Sequence, residues 1–176
     1  TTEHAKVSEF AIQQGAQMVY EFTYTGTEPL VATLAWNDPA ATATTSTLNV
    51  PRLVNDLDLR IFNADTNIEY FPWALVQSWG IAQTSTGISV RTGDNTRDNI
   101  EKVEVNSTTP GNYKLVVSHK GTLTGGTQKY SLIISGAGGV MPPLTGQANV
   151  EVVNALGKIT LFPNPANSVL NIAGDL

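Results

Sequence analysis

The sequence predicts an all-β fold: an antiparallel β-sandwich or jelly roll, followed by a short extended C-terminal tail. Three observations carry this. Charged residues make up only 14% of the 176 residues and apolar residues 41%, with Thr, Gly, Asn and Val abundant, which suits half-buried pleated surfaces better than amphipathic helices. Short runs of apolar and polar alternation recur between turn signals. No useful window keeps the 3.6-residue helical period.

The strands follow in order. Ala5–Ile12 carries Val7 and Phe10 with imperfect alternation. Gln17–Thr25 places Met18, Tyr20, Phe22 and Tyr24 on one face. Leu30–Trp36 opposes Leu30, Ala32, Leu34 and Trp36 to Val31, Thr33 and Ala35, and is bracketed by Pro29 and by Asn37-Asp38-Pro39. Residues 40–52 are rich in Ala and Thr and read as a loop. Val54–Asn63 is the next strand. Residues 64–96 have no clear pattern beyond a short aromatic piece, Tyr70-Phe71-Pro72-Trp73, and then Trp79. The polar loop GDNTRDN spans 93–99 and leads into a strand at Ile100–Asn106. Pro110-Gly111 turns into Asn112–His119, and Gly125-Gly126 turns into Lys129–Ser135.

Domain organisation follows from a shift in composition after Gly136. Residues 1–136 form the sandwich. Residues 137–149 concentrate Gly and Pro without charge and read as a linker. Residues 150–176 are extended and too short for a core of their own. A domain of this size buries roughly 70% of its unfolded surface, so no staple is required. Thr1-Thr2-Glu3 reads as the start of a piece cut from a longer chain, and no signal peptide opens it.

Composition also excludes function classes. The net charge is −5 and no Lys/Arg cluster exists to neutralise phosphates, which argues against nucleic acid. No apolar run reaches the ~18 residues of a membrane span. Without cysteine there are no disulfides or thiolate sites. The two histidines, His4 and His119, are far apart, with no Gly-x-Ser-x-Gly element, so neither a hydrolytic triad nor a zinc site is predicted.

The feature that asks for chemistry is VNDLDL at 54–59. A strand there puts Asp56 and Asp58 on one face and Leu57, Leu59 and Ile61 on the other. Two carboxylates side by side repel unless a cation, metallic or from a side chain, compensates them. Calcium takes hard oxygen ligands of this kind. DNTRDNIE at 94–101 adds Asp94, Asn95, Asp98, Asn99 and Glu101, and Asp38 is a weaker third source. The alternative is a solvated acidic patch with Arg60, Arg97 and Lys102 as partners, and spacing alone favours it, since no EF-hand spacing is present. Tyr70, Trp73 and Trp79, with Phe71, could stack on sugar rings, although aromatics in a domain of this size are more often core. Asn106-Ser107-Thr108 matches a glycosylation sequon but reads more plainly as a turn.

TLAWNDP at 33–39, LVNDLDLRI at 53–61, RDNIEKVEV at 97–105, PGNYKLVVS at 110–118 and QKYSLIISG at 128–136 together resemble the C-terminal β-barrel domain of secreted subtilisin-like serine proteases, which is related in architecture to the P domain of proprotein convertases. The resemblance covers about residues 1–136. It implies a non-catalytic jelly roll that stabilises a catalytic domain of the same polypeptide, with structural calcium at Asp56, Asp58, Asp98, Asn99 and Glu101. A carbohydrate- or surface-binding module using Tyr70, Trp73 and Trp79 is the competing class. LFPNPANSVLNI at 161–172 is similar to the opening of a type IX secretion C-terminal sorting domain, with Pro163-Asn164-Pro165 before a first strand at Ser168–Ile172. That implies contact with the type IX machinery and export across a bacterial outer membrane, to the cell surface or beyond.

Overall fold

The structure is a computed structural model. It describes residues 5–43, 51–76, 88–91, 93–105, 109–137, 147–148, 151–154 and 157–160. Among these there is no helix, and all strand pairs are antiparallel.

Two sheets form the body. In the first, β1 (Ala5–Gln13), β10 (Thr127–Ser135), β3 (Leu30–Trp36) and β8 (Ile100–Val105) lie side by side in that order. In the second, the order is β11 (Gln147–Ala148), β2 (Met18–Tyr24), β9 (Gly111–Lys120), β4 (Asp56–Asn63) and β5 (Glu69–Tyr70). Two small hairpins stand apart: β6 (Ala74–Val76) with β7 (Ile88–Val90), and β12 (Glu151–Asn154) with β13 (Gly157–Thr160). The hairpin β12–β13 falls within the stretch read as extended, and β11 pairs with Met18 and Val19 from inside the segment read as linker.

Alternation decides which face is buried. Along β3, Leu30, Ala32, Leu34 and Trp36 are buried and the residues between them are half-buried. Tyr130, Leu132 and Ile134 of β10 and Val103 and Val105 of β8 share that inner layer. Leu57, Leu59 and Ile61 of β4 and Tyr113, Leu115 and Val117 of β9 supply the facing layer, all at most 1% exposed. Each such side chain contributes about 1.5–3 kcal/mol by leaving water.

The tyrosine hydroxyls of the core are paired. Tyr20 of the second sheet and Tyr130 of the first share a hydroxyl–hydroxyl bond of 2.9 Å, which ties the two layers together. Phe10 packs on both rings, with centroids 5.6 and 5.9 Å away. The Tyr113 hydroxyl donates to the Thr109 carbonyl at 3.0 Å and pins the entry to β9.

The strand read as Val54–Asn63 begins at Asp56, because Val54 and Asn55 form a bend. Their N–H groups donate to the Asp38 carboxylate, both at 2.7 Å, so they are spent on a side chain and not on a ladder.

Candidate functional site

The charged residues of interest collect on the outer face of β4. Asp56, Asp58 and Arg60 point away from the core, opposite Leu57, Leu59 and Ile61. β9 runs antiparallel beside β4, and its register sets Asp56 across from Lys120 and Asp58 across from Ser118. Lys120 Nζ lies 2.8 Å from Asp58 Oδ1 and 3.6 Å from Asp56 Oδ2. The loop before β8 brings a third carboxylate, and Asp94 Oδ2 is 3.0 Å from the same ammonium.

Arg60 is the second cation. Its Nη1 donates to the Leu59 carbonyl at 2.7 Å. Nη2 is 3.5 Å from Asp58 Oδ1, Nε is 3.4 Å from Glu69 Oε1, and Asp94 Oδ1 pairs closely with the guanidinium. The Phe71 ring covers one side, 5.1 Å from the guanidinium carbon. Asp94 therefore bridges both cations.

Glu101 reaches this cluster from the other sheet. It is fully buried on β8, and its Oε2 accepts the Leu59 N–H at 2.6 Å and lies 3.9 Å from Arg60 Nη1. Burial pushes its carboxyl up to about 8, reinforced by the Asp58 charge and opposed by the Leu59 N–H, Arg60 and Lys120. Asp56 is also raised, by burial first and by Asp58 and Asp38, against the pull of Lys120. Glu101 Oε1 and Asp56 Oδ1 are buried without a hydrogen-bond partner.

Of the residues read as calcium ligands, Asp56, Asp58 and Glu101 thus share one cluster. Asp98 and Asn99 make their contacts elsewhere. Asn95 organises the loop: its Oδ1 accepts from the N–H groups of Arg97 and Asp98, and its Nδ2 donates to Asp98 Oδ2 and to the Ile100 carbonyl. Asn99 Nδ2 donates to the Trp36 carbonyl at 2.6 Å and the Trp36 N–H donates back to the Asn99 carbonyl at 3.1 Å, so Asn99 closes the end of β3. Asp38 is occupied by Val54 and Asn55. As arranged, these residues do not fit a calcium ion, because an ammonium and a guanidinium occupy the space between the carboxylates. Among the described residues, no group of three or more Asp, Glu, His or Cys side chains is set to hold a metal ion. Lys120, the partner that sequence reasoning missed, is named only by strand register.

A second polar system holds one end of the sandwich. Asn55 is fully buried. Its Nδ2 donates to Gln128 Oε1 at 2.7 Å, its Oδ1 accepts from the Thr124 N–H at 2.7 Å, and its carbonyl accepts from Trp36 Nε1 at 2.9 Å. Gln128 Nε2 in turn donates to the Asn37 carbonyl at 3.0 Å. His119 is engaged as well, with its Nε2 accepting from the Gly15 N–H at 2.7 Å. His4 lies outside the described residues.

Among the described residues, Tyr70 and Trp73 of the aromatic segment are packed. Tyr70 is half-buried against the core. The Trp73 Nε1 donates to Glu104 Oε2 at 3.3 Å, and the Arg91 guanidinium stacks 4.6 Å from the Trp73 ring centroid. Trp79, the sequon at 106–108 and the tail at 161–172 lie outside the described residues.

The outer face of the first sheet differs from this charged face. Val7, Ile100 and Ile133 are exposed there, and a groove of about 780 Å³ runs across it, lined by Glu9, Ala11, Ala35, Ile100, Lys129 and Ser131. Comparison with protein-family models and with curated proteins gives no match for this chain.

Proposed function

We propose that this chain is the non-catalytic accessory domain of an exported subtilisin-like serine protease, which stabilises the catalytic domain by packing against it. One observation supports the reading above others. The motifs that carry the resemblance spend their polar side chains on one another. Asp38 and Trp36 hold the 54–55 bend, Asn55 holds Gln128, Asn99 holds the end of β3, and Glu101 holds Leu59. Groups so committed maintain a scaffold and are not presented to a substrate. The exposed apolar face bearing Val7, Ile100 and Ile133 offers the surface for such packing. LFPNPANSVLNI supports export by the type IX route.

The test compares the parent polypeptide with and without this domain. Deletion is expected to shorten the thermal half-life of the protease while kcat/KM on a small peptide substrate stays unchanged. A parent reading frame with no subtilisin-type domain, or equal half-lives, overturns the proposal.

A further inference from the structure

Three carboxylates from two distant segments meet on one atom. Lys120 Nζ is 2.8 Å from Asp58 Oδ1, 3.0 Å from Asp94 Oδ2 and 3.6 Å from Asp56 Oδ2. An ammonium has three N–H donors and no acceptor, so three surrounding carboxylates match its capacity. A calcium ion in that position would need about six to eight oxygens at about 2.3–2.6 Å, and Nζ already fills the point on which these oxygens converge. The arrangement is not left to a free side chain. Lys120 is held opposite Asp56 by eight register pairs between β4 and β9, from Asp56↔Lys120 to Asn63↔Tyr113. Asp58, its nearest partner, is 9% exposed, while Lys120 is 36% exposed and enters from the solvent side.

We propose that Lys120 is the resident cation of the Asp56–Asp58–Asp94 cluster, and that the sandwich holds its acidic face together without a divalent ion. The chain supplies its own charge at the place where paired aspartates would otherwise recruit a metal. Removing the ammonium leaves the carboxylates of Asp56, Asp58 and Asp94 around the point that Nζ occupied, and one of their oxygens, Asp56 Oδ1, is already buried without a hydrogen-bond partner. That vacancy is a cation site which the native chain keeps closed. The inference concerns this chain alone and does not depend on any protease.

Melting of the full chain tests it. The wild type is expected to melt within about 1 °C in excess chelator and in millimolar calcium, with no stoichiometric metal by elemental analysis. Lys120→Ala is expected to melt about 3 °C or more lower in chelator and to recover with millimolar calcium, whereas Lys120→Arg stays insensitive to calcium. A wild-type melt that falls in chelator, with a bound ion found, overturns the proposal. So does a Lys120→Ala melt equal to wild type in both conditions. Should Lys120→Ala fail to fold, the wild-type comparison decides by itself.

Discussion

The carboxylate of Glu101, on β8 of the first sheet, accepts the backbone N–H of Leu59, on β4 of the second, at 2.6 Å. β5 pairs with β4 only at Ile61 and Phe62, so the edge of β4 is open before that point. A buried N–H there needs an acceptor, and a side chain from the opposite layer supplies it where a neighbouring strand does not.

Stability is expected to fall as pH rises. The folded-state value of Glu101, about 8, lies above its ordinary value of 4.5. Between these values the folded state binds more protons than the unfolded state, so stability declines from about pH 4.5 to about pH 8 and levels off above. Urea melts across this range check the slope. Glu101→Gln, which keeps an acceptor for Leu59, is expected to flatten it. Glu101→Ala orphans the Leu59 N–H and is expected to cost about 1–3 kcal/mol near pH 4.5, with the gap to wild type narrowing as pH rises because the titrating carboxyl is gone.

Asn55→Ala removes the partners of Gln128 Oε1 and of the Thr124 N–H together. With the acceptor buried, the cost is expected to be about 3 kcal/mol, seen as a lower urea midpoint at unchanged slope. Asn55→Asp is expected to be worse, because it replaces a donor to Gln128 with a buried charge.

Gly136 and Gly125 separate backbone conformation from crowding. Both have positive φ, 76° and 82°. A Cβ on Gly136 would overlap the Pro29 carbonyl oxygen, while one on Gly125 meets open space. Gly125→Ala is expected to cost about 1 kcal/mol and Gly136→Ala more than about 2 kcal/mol in chemical denaturation.

Asp65 behaves in the opposite sense to Glu101. Its carboxylate accepts the Asn112 N–H at 2.8 Å and Asn112 Nδ2 at 3.1 Å, and these bonds hold it below its ordinary value. Its contribution is present above the unfolded value of 3.8 and is lost as pH falls through the lower folded one. Asp65→Ala is expected to be less stable than wild type at pH 6, with the gap closing at low pH. Carbon-detected NMR titration of Asp65 checks the shift directly.

Much of the fold is legible because local signals agree with burial. Leu30–Trp36 is read with its observed bounds, since Pro29 and Asn37-Asp38-Pro39 bracket a strong alternation. The two faces of β4 separate as the alternation predicts. The candidate site is less legible, because its partners are set by pairing between distant strands. Asp56 and Lys120 are 64 positions apart, and only the β4–β9 register joins them. Asn55 is read as part of the strand Val54–Asn63, and its place in the bend before β4 and its burial depend on Trp36, Thr124 and Gln128 arriving from other segments. Asp98 has the right chemistry for an ion, but Asn95 lies three residues before it and captures it locally.

The strand order of the first sheet also governs when the chain can fold. β10 lies between β1 and β3, pairing Ala5 with Ser135 and Val31 with that same Ser135. β1 has no partner in this sheet, and β3 has only β8, until β10 has been synthesised. No hairpin of adjacent strands is available to start that sheet, and closing such long loops costs entropy before any contact rewards it. A chain halted before β10 would carry an unpaired β1 and one open edge on β3, which could recruit one another between molecules. This sheet is therefore completed late, on the millisecond-to-second scale of non-local β topologies.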